Sequence, residues 1–119
     1  MTPSELHDRL VAIFPQFGAY WESADNLFRE TDGSYTVCGV FSHFTHFVRE
    51  YFPSFQSSAL SQLSRLIEDC LTEPHTEISN DTGACFLENM ISEEFTSAFV
   101  AQLGPRGREC IAELRGDAV

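Results

Sequence analysis

Tyr35-Thr36-Val37-Cys38-Gly39-Val40-Phe41-Ser42-His43-Phe44-Thr45-His46-Phe47-Val48-Arg49-Glu50-Tyr51-Phe52 carries the strongest periodicity in the chain. At about 100° per residue, Val37, Val40, Phe41, Phe44, Phe47, Val48, Tyr51 and Phe52 share one broad arc. Ser42, Thr45, His46, Arg49 and Glu50 fill the other side. The spacing predicts a core helix that Pro53 ends. Residues 35–41 are also rich in strand formers, and Gly39 weakens a helix there. A short strand or a frayed helix start is the alternative for those seven positions.

Working toward the N-terminus, Thr31-Asp32-Gly33-Ser34 is a turn signal. The segment Tyr20 to Glu30 reads as a short helix. Before it, Thr2 caps a helix with Pro3 in the first position and Glu5 completing a capping box. Leu6, Leu10, Ile13 and Phe14 then follow at helical spacing until Pro15.

Toward the C-terminus, Ser57 to Leu71 repeats the pattern, with Leu60, Leu63, Ile67, Cys70 and Leu71 as its stripe. Glu73-Pro74 breaks it. A helix from about Thr76 to Ile91 has apolar residues on two sides and a thin polar strip of Glu77, Asp81 and Glu88, the pattern of an inner helix. Ser92 reads as the cap of a helix over 93–103, and Gly104-Pro105 stops it. Arg106 to Arg115 forms the last helix. The expectation is one all-α domain over residues 1–119, a bundle or short stack of about six antiparallel helices joined by short connections. With 43% hydrophobic residues and 11 Phe, such a core needs no metal or disulfide staple.

The charge is lopsided: 18 Asp and Glu oppose 7 cations, all Arg, for a net charge of -11. Bare nucleic acid and anionic membranes are therefore poor partners, since phosphate neutralisation needs a basic patch. No apolar run approaches the ~18 residues of a membrane span, and no tripartite signal opens the chain. A cytoplasmic location is the expectation. Cys38, Cys70, Cys85 and Cys110 form no close pair. They read as four reduced core residues, with two disulfides in one of three pairings as the alternative.

Chemistry-bearing patterns are few. His43 and His46 sit three apart with Glu50 beyond, enough to suggest zinc but short of a four-ligand site. They read as surface histidines on the polar side of the long helix. His7 and His75 are isolated. Cys38 and His43 point apart on a helix, and there is no GxSxG elbow, GxGxxG turn or P-loop. No enzyme and no cofactor is expected. The clearest feature is electrostatic. Between Arg65 and Arg106, 40 residues hold no cation and eight acids: Glu68, Asp69, Glu73, Glu77, Asp81, Glu88, Glu93 and Glu94. They either keep the protein soluble or form a negative face for a basic protein, with Tyr35, Trp21 or Phe55 as aromatic anchors.

Phe-Leu-Glu-Asn-Met-Ile at 86–91 and Leu-Gly-Pro at 103–105, in the C-terminal third, resemble small all-helical bacterial proteins, including immunity proteins that neutralise toxins delivered between competing bacteria. The resemblance implies a cytoplasmic, non-enzymatic inhibitor of a cationic toxin, such as a nuclease, and carries over no toxin-contacting residue. The competing readings are a small metal-binding enzyme or sensor using His43, His46 and Glu50, and an adaptor subunit of a larger complex.

Overall fold

In the computed structural model, which describes residues 1–23, 26, 28–74 and 76–116, seven helices pack without any strand among those residues. They are α1 (Pro3–Ile13), α2 (Pro15–Trp21), α3 (Val37–Tyr51), α4 (Ser57–Leu71), α5, α6 (Thr96–Ala101) and α7 (Pro105–Leu114). Helix α5 opens as Thr76–Asp81, passes through a π-helical turn at Thr82–Leu87 and closes as Glu88–Met90. None is long and apolar enough to cross a membrane.

The 35–41 ambiguity resolves as helix. Thr36 is extended, and its hydroxyl accepts the Gly39 amide at 2.9 Å, so the helix starts at Val37. Gly39 weakens helix propensity but answers a packing need. A Cβ there would stand 3.2 Å from the Phe28 carbonyl oxygen. Before it, Asp32 accepts the Ser34 amide and Gly33 takes φ 87°, as the turn signal predicts.

Helix α3 is more central than one apolar arc implies. Thr45 and His43, both expected on the polar side, are buried. Thr45 satisfies its hydroxyl by donating to the Phe41 carbonyl at 2.9 Å. Only a strip including His46, Arg49 and Glu50 meets solvent. The helix packs on α1, α2 and α5, while α4 packs on α1, α5 and α7. Phe44 is the hub: its ring lies 5.5 Å from Phe14, 5.2 Å from Phe17, 6.0 Å from Phe47 and 5.4 Å from Phe86.

Three expected elements shift. Pro15 does not only end α1; it also opens α2 seven residues long, so the second helix lies at 15–21 instead of 20–30. The first turn of a helix has no use for the N–H that proline lacks, so one proline serves both roles. Of the 20–30 segment, residues 24, 25 and 27 lie outside the described residues, as does His75. Ser92 caps nothing. The chain makes turns over 91–95, and α6 begins at Thr96. The Thr96 hydroxyl is buried against the Met90, Ile91 and Glu93 carbonyls, closing α5 where its helical bonds run out.

The two-sided apolar pattern of α5 has its explanation in the π turn. Ile78, Thr82, Phe86 and Met90 are all buried and each four residues apart. An α-helix advances by 400° in four residues, so such a row drifts steadily round it. A π turn holds more residues and takes up that drift. The same turn brings Gly83 and Leu87 to the core.

The cysteines correct the reduced-thiol expectation. Cys38, in the first turn of α3, is disulfide-bonded to Cys85 in the π turn, with Cα atoms 5.3 Å apart. Cys70 and Cys110 are free, as expected. Burial pushes the Cys70 thiol up to about 11, which suits an inert core thiol.

Candidate functional site

The eight acids do not form one continuous unpaired face. Four are engaged with the chain itself. Glu68, half-buried on α4, accepts the Arg106 amide at 3.1 Å and the Gly107 amide at 2.8 Å, capping α7 from a neighbouring helix. Gly104 makes room for it, since a Cβ there would come within 2.7 Å of the Glu68 carboxyl carbon. Asp69 pairs with Arg9 at 2.8 Å. Glu73 pairs with the Met1 ammonium, and Glu93 with Arg49. The cations come from sequence positions 44 to 72 residues away.

Glu77, Asp81, Glu88 and Glu94 enter no ion pair among the described residues. Glu77 and Asp81 stand one turn apart on the first half of α5. Partial burial, and next the Glu77 charge, raise the Asp81 carboxyl above its ordinary range. Glu88 lies beyond the intervening π turn. Glu77 borders a hollow of about 440 Å³ beside Met1, Pro3 and Tyr35. Glu88 borders another, of about 480 Å³, between α5 and α7 with Arg106, Glu109 and Glu113. The strip of three acids expected on an unbroken helix is thus a pair plus a separate residue.

Of the aromatic anchors, Trp21 is buried, with its ring between His7 at 5.2 Å and His43 at 5.8 Å. Tyr35 and Phe55 are half-buried.

The histidine pair does not converge. His43 is 5% exposed, contrary to the surface reading, and its Nε2 lies 3.2 Å from the Tyr20 carbonyl oxygen. Its Nδ1 is buried with no hydrogen-bond partner. His46 is exposed and stacks on Phe28, and Glu50 is exposed beyond it. Among the described residues no three His, Cys, Asp or Glu side chains are placed to share a metal ion.

Compared with known family models, curated proteins and solved structures, the chain matches none.

The buried imidazole has a measurable consequence. Burial pushes His43 below the ordinary histidine value of about 6.5, while the Tyr20 carbonyl opposes the shift and His46 and Arg29 add to it. The unfolded chain therefore binds the proton more tightly than the folded one. The stability this contributes is complete above the unfolded value and is lost as pH falls through the folded one. Thermal melts between pH 7.5 and 5.5 should show a falling midpoint for wild type and a flatter profile for His43→Gln. Parallel profiles would remove His43 as the cause.

Proposed function

We propose that this chain is a non-enzymatic binding protein that meets a cationic protein through the edge of α5 formed by exposed Glu77 and half-buried Asp81. One observation carries this reading. These two acids sit one turn apart without a cation, whereas Glu68, Asp69, Glu73 and Glu93 each have a partner within the chain. A basic partner would relieve their repulsion, and complementary charge would speed encounter. The resemblance to immunity proteins supplies the partner class: a toxin of a competing bacterium, most simply a nuclease whose own polyanionic substrate demands a basic cleft. A cytoplasmic location follows from that role, whereas a disulfide favours an oxidising compartment or a redox-controlled bond.

The test is association kinetics with the product of the adjacent gene. The double variant Glu77→Lys/Asp81→Lys should associate about tenfold more slowly than wild type at low salt. The wild-type rate should fall steeply as salt rises, and circular dichroism should be unchanged. Equal rates without salt dependence would reduce the acidic edge to a solvated surface.

A further inference from the structure

All four cysteines meet at the π turn of α5. Cys85 lies within it and is bonded to Cys38 of α3. The Thr82 hydroxyl reaches the Cys70 thiol of α4. Gly83 is approached so closely by α7 that a Cβ there would stand 3.3 Å from the Cys110 sulfur. Both residues of the disulfide are half-exposed, as is the free Cys110, whereas Cys70 is buried.

The two halves of α5 are held unequally. Within the π turn Phe86 stacks on Phe41 and meets Phe44 and Phe99, and past the turn Met90 is fully buried. Before it, Ile78 is buried and the Ser79 hydroxyl donates to the Leu71 carbonyl, the side-chain bond this half makes to another element among the described residues. This half also carries the like-charged Glu77 and Asp81 one turn apart, which destabilises a short helix. The bond at Cys85 is the covalent tie nearest to this weaker half.

We propose that Cys38–Cys85 is a redox switch that orders the Glu77–Asp81 edge. A dithiol supplies the electrons. One of its thiolates attacks a sulfur of the pair, the S–S bond breaks and a mixed disulfide forms. The reductant's second thiol then displaces the protein sulfur. Cys38 and Cys85 end as two thiols and the reductant as its own disulfide. Partly exposed disulfides are the labile, regulatory ones, and cytosolic disulfides are usually transient. With the bond intact the edge is held on α3; with it cut, the first half of α5 opens while the Phe86 half stays docked.

The consequence for binding rests on the acidic-edge reading, but the switch is tested without a partner. Hydrogen exchange followed by mass spectrometry compares oxidised protein with protein treated with dithiothreitol. After reduction, amides over 77–84 should exchange at least about tenfold faster and through a local opening that low denaturant leaves unchanged, while those over 40–48 should gain only what the loss of global stability gives them. The double variant Cys38→Ser/Cys85→Ser should match the reduced protein and ignore dithiothreitol. Three results overturn the proposal: equal exchange in both forms, a uniform rise along the whole chain, or an oxidised protein with the mass of the fully reduced chain. A protein that passes this test yet shows no charge-dependent binding would keep the switch and lose the acidic-edge reading.

Discussion

Phe44→Ala should lower the free energy of unfolding by about 3–5 kcal/mol. Phe44 is fully buried, and its ring meets four others contributed by the α1–α2 junction, α2, α3 and α5. Truncation removes that apolar surface and leaves a space lined by rings that cannot all close over it. Urea titration of wild type and variant measures the difference. A loss under about 1 kcal/mol would mean the neighbours collapse into the space and Phe44 is not the hub. Phe44→Leu, which keeps most of the volume, should recover much of the loss.

Removing the disulfide should cost about 4 kcal/mol by the loop-closure argument, since it joins residues 47 apart in sequence. This cost arises in the unfolded chain, which gains freedom when Cys38 and Cys85 are no longer tied. Denaturation of oxidised and dithiothreitol-reduced wild type gives the value directly. The expected signature is a lower midpoint, and the double serine variant should match reduced wild type. Equal midpoints in both redox states would show that the bond restrains nothing in the unfolded ensemble.

What the sequence makes legible follows from how local the cause is. The α4 limits, Ser57 and Leu71, agree with the stripe and with Pro74. The Thr2–Glu5 capping box forms as spelled, with both bonds present. The core role of Phe41, Phe44, Phe47 and Val48 also stands, while Tyr51 is half-buried. Misreadings arise where one residue answers to a distant part of the chain. Thr96 opens α6 yet turns its hydroxyl back to close the helix before it. Gly39 weakens a helix on paper because its reason, the Phe28 carbonyl, lies in another segment.

The candidate site shows the same division. The deficit of cations over 66–105 is plain in the sequence, but the chain brings Arg9, Arg49 and the N-terminal ammonium back to it. Counting charges along the segment therefore overstates the free negative edge. The helical wheel that aligns Glu77, Asp81 and Glu88 assumes an unbroken α-helix, and the π turn invalidates it for Glu88. His43 is buried because α3 is covered on nearly all sides, which a one-sided arc cannot reveal. Cys38 and Cys85 each sit among apolar neighbours like ordinary core cysteines. No spacing rule joins two residues 47 positions apart.

The Cys38–Cys85 bond also gives the molecule a topology. Residues 38–85 form a covalent ring that holds most of α3, all of α4 and the first half of α5. The N-terminal arm with α1 and α2, and the C-terminal arm with α6 and α7, are two tails folded back onto that ring. A backbone cut between the exposed Gln56 and Ser57 would leave a single molecule, opened but still joined through sulfur. A cut in either tail would release a piece held by packing and polar contacts alone. For the C-terminal arm those contacts include the Glu68 carboxylate, which reaches from the ring to the first amides of α7.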